Sequence, residues 1–302
     1  MNRPSNVSVI ALMACLGATH AAHAAPSAPD LATPAPTAPS AAVDQAKEVA
    51  KKAQLTPLVP SPKNPLRPAF QLYAEIDLPI VGIGLAYAGA RYVRAQKAYC
   101  APQCDPSGLN ALDRTTAGYW YPGWQRASDV GFYAVALGAG AFLVADEGLL
   151  PALNDSVVIA ESALAAIAVA SMMTLATSRP RPYLYGDTAP LSARNSGDAN
   201  LSYLSSHAST SFAIATSTFI AARRLHPNTG TAWIAMAVGG SVAAFVASAR
   251  VLGGMHFITD AVGGALVGTS VGVLVPSLHR SPVALVPVAG GEQRGLALAG
   301  RF

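Results

Sequence analysis

Residues 156–177 read SVVIAESALAAIAVASMMTLAT, a run with one charge, Glu161, and long enough with its flanks to cross a bilayer as a helix. The same poverty of charge recurs at 130–144, 205–222, 231–249 and 261–278. Hydrocarbon offers no partner to an open backbone N–H or C=O, so such runs fold as helices there. Gly, Ala, Ser and Thr are frequent in them, which suits close helix contact in lipid. Together they predict an all-α, membrane-embedded bundle of five to six helices. The sixth candidate is 78–90, which is shorter and interrupted by glycine and proline. Tyr119, Trp120, Tyr121 and Trp124 precede the 130–144 run, where an interfacial aromatic belt would sit.

Composition agrees. The chain has 302 residues, 52% hydrophobic and 12% charged, with a formal net charge of +4. A soluble domain is about 25% charged. A disordered chain and a nucleic-acid binder both need denser charge, so no nucleic-acid partner is expected. Three cysteines are too few for a disulfide-built mini-protein.

Before the bundle, residues 1–24 read as a secretory signal: Arg3, an apolar run at 9–18, then Ala22-His23-Ala24 as a small-x-small cleavage pattern. A retained signal anchor and a lipoprotein signal at Cys15 are the alternatives. Residues 25–68, rich in Ala, Pro and Ser, read as an extended tether. Residues 69–128 form a periplasmic or interfacial segment. In an exported chain, Cys100 and Cys104 in its loop read as a local disulfide, since no further Cys or His stands close by for a metal. Residues 129–280 hold the membrane core. Residues 281–302 are a tail, either a small hairpin or disordered.

Arg223 and Arg224 follow one run, and His279 and Arg280 follow the last, so these turns belong in the cytoplasm. Alternation then puts 179–205 and 250–256 outside. A removed leader together with a spanning 78–90 would put 179–205 inside. The conflict is resolved if 78–90 lies in the interface or packs on the bundle without crossing. Alternatively, 1–24 is no signal and 78–90 is the first span. Glu161 inside its apolar run either pairs with an arginine of the bundle, lines a site, or lies near the outer end in water.

Three short patterns fall at the outer helix ends: Ser178-Arg179-Pro180-Arg181-Pro182-Tyr183, Tyr203-Leu204-Ser205-Ser206-His207, and Arg250-Val-Leu-Gly-Gly-Met-His256-Phe-Ile-Thr-Asp260. Singly, each arginine reads as a boundary anchor and each histidine as a structural hydrogen-bonder. Jointly they read as chemistry. Arginines present forked donors to a tetrahedral oxyanion. A helix opening at Ser205–His207 adds free N–H groups and a positive dipole end. His256 and Asp260, four apart, share a helical face, where a carboxylate sets the tautomer of a nucleophilic imidazole. His207 is left to protonate a leaving group.

These patterns resemble the type 2 phosphatidic acid phosphatase superfamily, which includes lipid phosphate phosphatases, class A acid phosphatases and vanadium haloperoxidases. Its signature runs Lys-x6-Arg-Pro, Pro-Ser-Gly-His, then Ser-Arg-x5-His-x3-Asp. Arg181-Pro182, Ser205 with His207, and Arg250, His256 and Asp260 match it, over roughly residues 130–278. The resemblance implies that 129–280 is a membrane phosphatase core. His256 is then the nucleophile that becomes a phosphohistidine, Asp260 its orienting partner and His207 the general acid. Arg181, Arg250, Ser205 and Ser206 become phosphate ligands. No metal and no cofactor are implied in the phosphatase branch. The expected partners are a lipid phosphate or pyrophosphate substrate and the bilayer, with the protein in a bacterial inner membrane and its site facing the periplasm. The chain departs from the signature in three places. Thr174 stands where the first motif has Lys, with Arg179 the available replacement cation. Leu204 and Ser206 replace the Pro and Gly of the second motif. Ala249 replaces the Ser before Arg250. A soluble periplasmic acid phosphatase and a catalytically weakened phospholipid-binding relative are the alternative readings.

Overall fold

The computed structural model describes residues 68–94, 98–279, 284–290 and 293–299. Six long helices follow in chain order: α1 Ala74–Arg94, α2 Pro122–Glu147, α3 Leu149–Thr177, α4 Ser206–Leu225, α5 Thr231–Leu252 and α6 Ile258–Leu278. Four of them, α2, α3, α5 and α6, are long and apolar enough to cross a membrane by length and composition. The helical bundle expected from the charge-free runs is therefore present. A separate antiparallel hairpin, β1 Ala284–Gly290 with β2 Gln293–Ala299, pairs Ala284 with Ala299. The expected leader and nearly all of the expected tether lie outside the described residues.

The bundle is apolar on its outside and polar within. Leu137, Leu150, Trp233 and Leu266 are 73%, 78%, 62% and 65% exposed, while Ser209, Ser211 and Ser217 of α4 are fully buried. Water would reverse that order, and lipid requires it. Helix α4 is the central helix. Its Ser and Thr residues lower its hydropathy, but Ser217 and Thr218 return their hydroxyls to carbonyls of their own helix at 2.7 and 2.8 Å. Gly264, Gly268 and Gly272 of α6 lie against it. A Cβ at Gly268 would stand 2.1 Å from the Ser209 carbonyl oxygen, so only glycine permits this approach.

Helix α1 packs on the bundle, against α3. At its start, Asp77 Oδ1 lies 2.8 Å from Nε2 of His279, the residue that caps α6. Just beyond its end, Ala98 and Cys104 pack with Tyr183 and Leu184, and the Cys104 N–H donates to the Leu184 carbonyl at 2.8 Å. It therefore runs from one end of the bundle to the other and does not lie across it. Gly84 admits the Leu164 side chain of α3, which would meet a Cβ at 3.0 Å. Glu161 is corrected. It pairs with no arginine and lies far from the chemical motifs, 3.1 Å from His279 Nε2.

Candidate active site

His256 sits in the turn between α5 and α6, 1% exposed. Its Nδ1 lies 2.7 Å from the Ser202 carbonyl. A carbonyl only accepts, so Nδ1 carries the proton and the neutral ring keeps its lone pair on Nε2. Nε2 in turn lies 3.4 Å from Nη1 of Arg181. Burial first, then the charges of Arg181 and Arg250, hold the His256 imidazole well below its ordinary value, and His207 acts in the same direction. Each of these three side chains is thus close enough to act on His256.

Asp260, the third residue of α6, accepts from the Phe257 N–H at 2.9 Å, which ties down the helix start. It also accepts from the Ser202 hydroxyl and from Arg179. It stands 3.9 Å from His256 Nδ1, too far for a hydrogen bond. His256 lies in the turn before α6, so neither the shared helical face nor the direct tautomer-setting bond read from the four-residue spacing is formed. Ser202 stands between them, offering its hydroxyl to Asp260 and its carbonyl to His256.

Arg181 is 1% exposed. Its Nε donates to the Asp198 carbonyl at 2.8 Å, Nη2 to the Asp198 carboxylate at 2.9 Å and Nη1 to the Met255 carbonyl at 2.7 Å. The guanidinium is thereby fixed with Nη1 beside the reactive ring nitrogen. Arg250, near the end of α5, reaches Ser128 at 3.3 Å and Asp129 at 3.4 Å. His207, in the first turn of α4, lies with Nε2 3.2 Å from the same Asp129 oxygen and its ring against Phe132. Ser205 caps α4 by accepting from the Ala208 N–H at 3.3 Å. Ser206 opens the helix beside it.

Arg179 is engaged by acidic partners. It pairs with Asp113 at 2.7 Å and with Asp260, and its guanidinium lies over the Phe257 ring. Two carboxylates thus hold it beside the His256–Asp260 segment. Thr174 is fully buried and donates its hydroxyl to its own helix, at the Ser171 carbonyl.

The motifs did not reveal Asp113, Ser202, Asp129 or Asp198. Asp113 is fully buried, and it also accepts from Thr259 N–H, Thr259 hydroxyl and Asn110. Burial opposes its ionisation, but the bonds from Arg179, Thr259 and Asn110 outweigh it and hold the carboxyl below the usual carboxylate range. The spacing of Asn110 and Asp113 signals a helix start and no more, and that start exists: Asn110 Oδ1 accepts from the Asp113 N–H. Cys100 and Cys104 are joined, and their loop lies at this same end of the bundle.

Residues 156–282 match the family model described as PAP2 superfamily. A solved structure described as the first transmembrane PAP2 type phosphatidylglycerolphosphate phosphatase from Bacillus subtilis matches with 19% sequence identity and a TM-score of 0.40, over 67% of this chain and 95% of that one. No curated protein matches.

Proposed function

We propose, on the premise that residues 156–282 are of the PAP2 superfamily, that this membrane protein hydrolyses lipid phosphates or pyrophosphates through a phosphohistidine. The observation that carries this is the buried, neutral His256, with Nδ1 held by Ser202 and Nε2 facing Arg181. The Nε2 lone pair attacks phosphorus, and the bond to the leaving oxygen breaks as His207 gives that oxygen its proton. Water then attacks the phosphorus of phosphohistidine, His207 takes up a proton, and inorganic phosphate leaves with His256 restored. Arg181, Arg250 and the opening N–H groups of α4 are aimed where charge grows on the phosphoryl oxygens, each contact contributing about 3 kcal/mol to the transition state. Asp260, Arg179 and Asp113 act through Ser202 and the Phe257 turn as positioning residues.

The apolar exterior favours a substrate whose tail stays in the bilayer, and it disfavours the soluble alternative. The Cys100–Cys104 bond belongs to an oxidising compartment and shares the site's end, which supports a periplasmic site in an inner membrane. The test is phosphate release by the purified chain over phosphatidate, polyprenyl pyrophosphate and lipid A phosphates. His256→Ala is expected to lower release at least a thousandfold (about 4 kcal/mol). Unchanged release would remove His256 from the nucleophile's role. Thr174 favours the weakened relative as the second reading: it predicts retention on phosphatidate vesicles with no release by the parent chain.

A further inference from the structure

Three helices each bring one ionisable side chain to a buried point at the end of the bundle away from the phosphate site. Asp77 comes from the first turn of α1, Glu161 from α3 and His279 from the cap of α6. Asp77 Oδ1 lies 2.8 Å and Glu161 Oε2 3.1 Å from His279 Nε2. All three are buried, and their potential ligand atoms lie within 4.8 Å of one another. Glu161 is 1% exposed, and neither of its carboxylate oxygens has a hydrogen-bond partner of acceptable geometry. A buried carboxylate without a well-formed hydrogen bond is costly, and this one, ion-paired to His279 at 3.1 Å, is aimed into the cluster.

His279 is also oriented as a ligand. Its Nδ1 donates to the Val275 carbonyl at 2.8 Å, which turns Nε2 toward both carboxylates. Metal-binding imidazoles are held in this way through their other nitrogen. Charge points the same way. Two carboxylates, a neutral imidazole and a divalent cation sum to zero, which suits a buried site. We propose that Asp77, Glu161 and His279 bind one divalent first-row metal ion, with zinc the best fit, and so clamp α1 to α3 and α6. Three nitrogen and oxygen ligands plus one water complete a tetrahedral zinc, whose ligand atoms stand about 3.4 Å apart for bonds of about 2.0–2.1 Å. The two separations from His279 Nε2, 2.8 and 3.1 Å, need open by only about 0.3 to 0.6 Å. Calcium and magnesium want six or more oxygens and fit poorly. This site is independent of the phosphatase reading.

The test uses the full purified chain in detergent, stripped with chelator and titrated with zinc chloride, with magnesium chloride as comparator. It is run in a His207→Ala/His256→Ala background, so that the imidazoles of the phosphate site take no part. One zinc per chain is expected. Binding should weaken at least tenfold in Glu161→Gln and in Asp77→Asn. The thermal midpoint should rise with zinc in the background chain and not in either variant. Equal zinc affinity in the background chain and both variants, or no zinc held by the folded background chain, would overturn the proposal. If both variants fold poorly, cobalt(II) in the background chain supplies the readout. A tetrahedral visible spectrum supports the site, and the spectrum of hexaaquo cobalt sinks it.

Discussion

At the residue scale, His256 makes two demands on its surroundings: a fixed proton on Nδ1 and an unprotonated Nε2. The Ser202 carbonyl meets the first. Burial and the arginine charges meet the second. A depressed imidazole pKa means that the neutral ring survives as pH falls. The acid limb of kcat/KM is therefore expected well below the ordinary histidine value of about 6.5. A pH profile on a soluble-headgroup substrate checks it, and a limb at or above that value would count against a neutral buried nucleophile. Asp113 shows how far the support extends. It bridges Arg179 and Thr259, so Asp113→Ala leaves a partly buried guanidinium with one carboxylate fewer. The expected loss is about 3 kcal/mol in folding stability, measured by thermal or chemical unfolding in detergent. A change within experimental error would show that Asp260 alone holds Arg179.

At the element scale, the decisive contact is between α4 and α6. Both the site's helix start and its nucleophile turn depend on how closely these two approach. Ser205 N–H donates to the Asp260 carbonyl at 3.2 Å, so the cap of one helix is tied to the first turn of the other. Below that point the glycine face of α6 keeps the two in contact. Gly268→Leu would drive a side chain into the Ser209 carbonyl. It is expected to cost about 3 kcal/mol and to lower turnover with it, since separating the helices moves His207 from His256. Gly138→Ala on α2, where a Cβ meets nothing within 4 Å, is the matched control and is expected to be neutral or slightly stabilising. Comparable losses in both variants would argue against a tight α4–α6 seam.

At the scale of the whole molecule, whether α1 crosses the bilayer sets the parity of the chain. Residues 69–73 and His279 lie at one end: Gln71 N–H donates to the His279 carbonyl, and Ala69 and Phe70 donate to Asp155. The Cys100 loop and residues 179–205 lie at the other. A crossing α1 would keep the positively charged turn at Arg223–Arg224 opposite the site. This is the parity of the alternative in which 78–90 is the first span. Reporter fusions after residues 100 and 190 are expected to read the periplasm, and fusions after 60 and 228 the cytoplasm. A cytoplasmic signal at 190 would reverse the proposed orientation of the site.

The sequence by itself determined that lipid is the solvent, because long runs almost without charge leave no other way to satisfy the backbone. It also determined which arginines and histidines stand at helix ends, because those motifs are short and local. Only the tertiary structure decided what each group faces. Spacing alone put Asp260 and His256 on one helical face, yet His256 lies in the turn before α6 and Ser202, more than fifty residues earlier, fills the gap between them. Arg179 read as a spare cation because nothing local shows Asp113, which reaches it across 66 positions of chain. Glu161 looked like a lone charge in an apolar run because its partners come from the start of α1 and the end of α6. Side-chain periodicity records which way a residue points from its own axis. What it meets there depends on the packing of helices distant in sequence, and no local pattern carries that information.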